Sequence, residues 1–140
     1  MVYNRCMIDR IPVCPSPVTP QQAIQTPSLT LALLGDSVHT LWVRHCAMAD
    51  GARKAAQIHT EVSRRVCAAA QAQALQDILD LLTPEAANVV RRARNTHVNT
   101  VAKHASVADY KSATAYEALI GYLYWTGAHD RLYEILQRQN

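Results

Sequence analysis

Eleven carboxylates, seven Asp and four Glu, are the whole stock from which this 140-residue chain could build acid, base or metal chemistry. That is few enough to examine singly. Asp77, Asp80, Asp130 and Glu134 fall on polar faces of helical patterns. Glu85 falls in a first turn, where a negative charge suits the helix dipole. Asp50 adjoins Gly51 and reads as turn chemistry. Glu61 has Arg64 and Arg65 at helical spacing. Asp9 lies in a proline-rich stretch, and Asp109 is the single acid of a basic segment. Asp36 and Glu117 fit none of these patterns. They sit in LALLGDSVHTLW and ATAYEALIGYLYW, the two most apolar stretches, with no Lys or Arg three or four residues away. Unpaired burial of a carboxylate is costly. Either each acid pairs across the fold or caps a neighbouring helix, or the two share a cleft and hold a divalent cation such as Mg²⁺. Gly35 and Gly121 bear on the choice. A mid-helix glycine costs about 1 kcal/mol against alanine, so another helix or a ligand should come close at each.

Other chemistries lack their residues. No GxSxG, P-loop or dinucleotide fingerprint occurs. Cys6, Cys14, Cys46 and Cys67 form no CxxC pair, and Cys46 and Cys67 fall in helical patterns where a buried thiol is expected. The six histidines, among them His39, His45, His97 and His104, show no zinc spacing. With no signal-peptide pattern and no apolar run near the roughly 18 residues of a membrane span, a reduced, cytoplasmic protein is expected.

The elements that must position Asp36 and Glu117 read as helices throughout. Five of the six prolines lie in the first 27 residues, which predicts an extended, partly mobile arm over 1–27 ahead of one domain over 28–140. Ser28 is placed to cap a helix running to about residue 48, in which Leu31, Leu34, Val38, Leu41, Trp42 and His45 form an apolar stripe. Leu33 and Val43 lie off that stripe and suggest burial on more than one side. Residues 52–82 carry enough Ala and Gln for two helices. Thr83-Pro84 opens another, ending near residue 94. The mixed stretch 95–111 predicts a long loop or irregular helix. An apolar helix from Ser112 or Thr114 to Trp125 and a last one over 129–137 complete an all-α architecture of about six helices.

The charge is unevenly spread. The net +3 resolves into +4 between Arg91 and Lys111 and −1 elsewhere. A smaller basic cluster gathers Arg53, Lys54, Arg64 and Arg65 around Glu61.

With these segments in view, GDSVHTLWVR resembles the signature helix of the ribonuclease III catalytic domain, and TAYEALIGYLYW resembles its second acidic helix. The run Arg91-Arg92-Ala93-Arg94-Asn95, followed by Tyr110-Lys111, narrows the resemblance to Mini-ribonuclease III, the branch consisting of the catalytic domain alone. It covers about residues 29–138. The resemblance implies an all-helical endonuclease fold, a homodimer, Mg²⁺, double-stranded RNA as substrate and maturation of the 23S ribosomal RNA precursor. Asp36 and Glu117 match the catalytic, metal-binding acids. Two further acids of full-length ribonuclease III fall at Ala32 and Thr114, so waters and RNA phosphates would complete the metal shell. Ala93 stands where the matching motif carries glycine.

Without a separate RNA-binding domain, affinity falls to the catalytic dimer. Phosphate contacts dominate such binding and duplex RNA is read largely by shape. The candidate contacts are Arg91, Arg92, Arg94, Asn95, Lys103 and Lys111. The competing expectation is a non-catalytic helical dimer that binds structured RNA or ribosomal particles through the same segment.

Overall fold

No strand forms among the described residues, 13–96 and 106–139, of this computed structural model; the elements are seven α-helices and one short 3-10 turn. The helices are α1 (Pro20–Ile24), α2 (Ser28–Ala49), α3 (Ala55–Val66), α4 (Ala68–Ile78), α5 (Pro84–Arg94), α6 (Val107–Trp125) and α7 (His129–Arg138), with the 3-10 turn over Leu79–Leu81 after α4. The all-α expectation holds. None of the helices is long and apolar enough to cross a membrane among these residues.

Helix α6 is the axle. From Ala113 to Leu123 every residue except Glu117 is buried, because α2, α4, α5 and α7 pack around it. A helix apolar on all sides needs such a sleeve. Trp42, Val43, Leu75, Ile78, Val89 and Leu136 supply much of it. On α7 the buried residues Leu132, Ile135 and Leu136 follow i, i+3, i+4 spacing, the mark of a helix with one inward face.

The local signals explain most boundaries. Thr83 accepts from the Ala86 amide at 3.2 Å ahead of Pro84 and opens α5 as expected. Gly51, at φ +113°, ends α2 in a conformation that side chains disfavour. Ser28 is the first helical residue of α2 and not its cap; the Pro27 carbonyl accepts from the Thr30 and Leu31 amides.

Three further expectations are corrected. Helix α6 starts at Val107, not at Ser112 or Thr114, because Ser106 caps it by accepting from the Asp109 amide at 3.0 Å. Residues 20–24 are helical and not extended: Thr19 and Gln22 form a reciprocal capping box with Pro20 in the first turn. That segment is fastened to the body by a Val18 N–H to Trp125 carbonyl bond at 3.0 Å and by burial of Cys14. Cys67 is exposed at the junction of α3 and α4, whereas Cys46 is buried as expected. Residues 1–12, with Cys6 and Asp9, lie outside the described residues, as do His97, Lys103 and His104.

Candidate active site

Asp36 and Glu117 are brought together by the crossing of α2 and α6. A Cβ on Gly35 would overlap the Glu117 carbonyl oxygen and come within 2.8 Å of the Gly121 amide nitrogen. A Cβ on Gly121 would overlap the Leu31 carbonyl oxygen and sit 3.1 Å from the Gly35 nitrogen. The helices are therefore antiparallel and in backbone contact. Both glycines answer to a helix and not to a ligand.

That contact sets the site's depth. Asp36 is exposed and Glu117 half-buried, and the two side chains are neighbours. The Glu117 carboxyl is pushed up to about 8, first by burial and then by the hydrogen bond and negative charge of Asp36; an amide hydrogen bond from Gln71 opposes this. Among the described residues neither acid has an ion pair, so the long-range salt bridge that the sequence left open does not form there. Two facing carboxylates without a cation are a donor set deficient in positive charge, which suits a hard divalent ion. No third His, Cys, Asp or Glu joins them among these residues. Ala32 and Thr114 are both buried, and the Thr114 hydroxyl donates back to the Tyr110 carbonyl at 3.0 Å, so neither is a ligand.

Behind Glu117 lies a polar chain that the sequence reading passed over. Gln71, buried on α4, places Nε2 3.1 Å from Nδ1 of His39 on α2. His39 Nε2 lies 2.8 Å from Oε1 of Gln139, whose Nε2 donates to the Arg65 carbonyl at 2.8 Å. Arg65 Nη2 donates to the Gln139 carbonyl, also at 2.8 Å. Tyr116 stands edge-on to His39, ring centroids 5.3 Å apart. Gln71 shares a face with Ala74, Leu75 and Ile78, the buried side of α4.

The candidate RNA contacts have differing surroundings. Arg91 is exposed and its guanidinium bonds to Asn88. Arg92 is half-buried and donates from Nη1 to the Ile24 carbonyl at 2.7 Å, tying α5 to α1. Arg94 is half-buried with its Nε unpartnered, and Asn95 is exposed at the end of α5. Ala93 is buried within the regular last turn, so alanine there meets no backbone obstacle. Lys111 lies six residues before Glu117 on α6, about 9 Å of helix rise. Lys103 lies outside the described residues. The second basic cluster is taken up by the fold: Arg53 donates to the Met48 carbonyl at the end of α2, Arg64 pairs with Glu61, and Arg65 is buried.

Comparison with known proteins supplies the family. The ribonuclease III domain model matches residues 29–128. The chain is 44% identical over 113 residues to a Mini-ribonuclease 3 of Brevibacillus brevis, covering 81% of this chain and 84% of that protein. It is 38% identical over 120 residues to a Mini-ribonuclease 3 of Thermoanaerobacter, covering 86% and 84%. A crystal structure of a Fusobacterium nucleatum protein, 28% identical, superposes with a TM-score of 0.76 over 82% of this chain and 94% of that one. The chain belongs to the ribonuclease III domain family, in its Mini-ribonuclease 3 branch.

Proposed function

We propose that this chain cleaves double-stranded RNA with the help of Mg²⁺, using Asp36 and Glu117, and that its natural substrate is the 23S ribosomal RNA precursor. Ribonuclease activity follows from the family; the duplex, the metal and the particular RNA are what the proposal adds. One observation carries it: the two carboxyl groups face each other where α2 and α6 cross, with no protein cation between them among the described residues.

Asp36 at the mouth and Glu117 deeper in would hold the ion between them. Mg²⁺ bound there supplies Lewis-acid activation of water and offsets negative charge on the phosphodiester as it is attacked. The chain's own contribution is positional. The glycine contact fixes the spacing of the helices, and the short Asp36 side chain leaves the outer side of the site open to a phosphate. Arg91, Arg92, Arg94 and Asn95, with Lys103 and Lys111, would draw the RNA backbone toward it.

A two-fold homodimer would place two such sites on one duplex, one for each strand. Exposed Leu29, Leu33, Leu41 and Met48 on one broad side of α2 support that reading, since apolar side chains of this size are ordinarily covered. The expected setting is the cytoplasm.

Incubation of the purified protein with precursor 23S RNA and Mg²⁺, followed by mapping of the new ends, tests the whole reading. Cleavage at paired positions supports it. Binding without cleavage would favour the non-catalytic RNA-binding dimer.

A further inference from the structure

We propose that residues 13–27, the segment ahead of the family match over 29–128, belong to the RNA-binding apparatus, with α1 as the positioning element that holds the Arg92 guanidinium ready for the duplex. This rests on the reading of Arg92 as a phosphate contact.

Four prolines, Pro15, Pro17, Pro20 and Pro27, lie in this segment, yet it is fastened at both ends. One end is fixed to the C-terminal end of α6. The Val18 N–H donates to the Trp125 carbonyl at 3.0 Å, the buried Cys14 thiol lies 3.9 Å from the same oxygen, and the Pro17 ring lies against Gly127. At the other end stands α1. Thr19 and Gln22 cap it reciprocally, and Ala23 is fully buried in the core. A helix leaves its last carbonyls without amide donors. Arg92 Nη1, from the last turn of α5, fills that of Ile24 at 2.7 Å.

This bond sets Arg92 apart from its neighbour. Arg91 is exposed and bonds to Asn88 on its own helix, so α5 alone sets its direction. Arg92 is half-buried, and its direction is set from another element. A guanidinium carries several N–H donors in a rigid fork, so one of them committed to a carbonyl fixes the plane of the rest. A long side chain fixed beforehand loses less freedom when RNA binds, which is worth about 2- to 10-fold in affinity. The effect belongs to binding and not to the chemical step. The strap's bonds reach the ends of α5 and α6, whereas the two acids sit where α2 and α6 cross.

The test uses the full chain and Ala23→Pro. Proline there deletes the amide that donates to the Thr19 carbonyl at 3.0 Å, so the turn cannot persist. Duplex affinity is measured with chelator present, and kcat at saturating RNA with Mg²⁺. Binding should weaken by about 2- to 10-fold, with kcat within about twofold. Arg92→Ala should then cost less affinity in the Ala23→Pro background than in wild type, whereas Arg91→Ala should cost the same in both. A general loosening of the fold would not single out Arg92. Normal affinity of folded Ala23→Pro, or an equal cost of Arg92→Ala in both backgrounds, overturns the proposal. Nitrogen-15 spectra of the wild-type arginine side chains test the clamp without any variant. Distinct, slowly exchanging Nη signals for Arg92 support it, and a rotationally averaged signal overturns it. Arg92→Ala that binds the duplex as wild type does would instead defeat the underlying reading of Arg92 as a phosphate contact.

Discussion

The Glu117 carbonyl oxygen occupies the space that a Cβ on Gly35 would need, so the residue beside Asp36 rests directly on the backbone of Glu117. The same contact that joins the two longest helices fixes the separation of the two acids. Packing and chemistry are therefore coupled at one point, and a change in either should be felt in the other.

Gly35→Ala tests that coupling. The added methyl group meets helix backbone and not a flexible side chain, so α2 and α6 must separate. The expected cost is at the upper end of about 1–3 kcal/mol for overpacking, read as a lower urea midpoint, together with loss of cleavage. Normal stability and normal cleavage would mean that the crossing is looser than described.

Arg91 and Arg92, adjacent in sequence, should separate in their effects. Arg92→Ala loses the bond to the Ile24 carbonyl and should cost about 1 kcal/mol of stability as well as RNA affinity. Arg91→Ala, at an exposed site, should leave stability within about 0.5 kcal/mol. Each should reduce the salt dependence of duplex binding by about one phosphate contact. Equal effects on melting, or unchanged salt slopes, would remove the distinction.

The pH dependence of stability has two opposed parts. His39 is held down to about 4 from an ordinary 6.5, so between those values the unfolded chain binds more protons and stability falls as pH drops. The swing for a fully buried imidazole is about 3 kcal/mol. Glu117 is raised from 4.5 to about 8, so in metal-free protein the folded chain binds more protons across that window and stability falls as pH rises. Below pH 6.5 the two offset each other. Glu117→Gln should therefore expose a steeper acid loss in urea unfolding and abolish the loss between pH 6.5 and 8. Identical pH profiles for wild type and variant would contradict the Glu117 assignment, and a variant without acid loss between pH 6.5 and 4 would contradict that of His39.

Leu33→Asp should leave the isolated fold intact, because Leu33 is 72% exposed. If two copies meet across this side of α2, sedimentation should show a shift from dimer to monomer and cleavage should fall with it. A wild-type monomer at micromolar concentration would exclude that face as an interface.

The helical framework was legible because its signals are local. Thr83-Pro84 fixed the start of α5, and the apolar runs marked α2 and α6. The same local grammar was present but passed over at Thr19-Pro20 and at Ser106 through Asp109, where nearby prolines and polar residues suggested irregular chain. Asp36 and Glu117 stand out because burying a carboxylate is costly. That holds for half-buried Glu117 but not for Asp36, exposed despite its apolar stretch. Gly35 stands out because a mid-helix glycine is costly. The mutual contact of the two acids was legible only as one of two alternatives and through the family resemblance, since it depends on a crossing between residues about eighty positions apart. The chain from Gln71 through His39 to Gln139 was not legible, because glutamine in an Ala/Gln-rich helix looks like any solvent-facing residue until the packing buries it. Leu33 shows the converse. An apolar residue in an apolar helix was expected inside, yet it faces outward.

The most direct measurement is cleavage of a defined RNA duplex by wild type, Asp36→Asn and Glu117→Gln, with Mg²⁺ and with chelator. The account predicts cuts in the duplex by wild type with Mg²⁺, none with chelator, and at least a hundredfold loss in either variant while duplex binding and folding persist. Cleavage that survives in both folded variants, or proceeds equally with chelator, would contradict the assignment of Asp36 and Glu117 as the metal-holding pair.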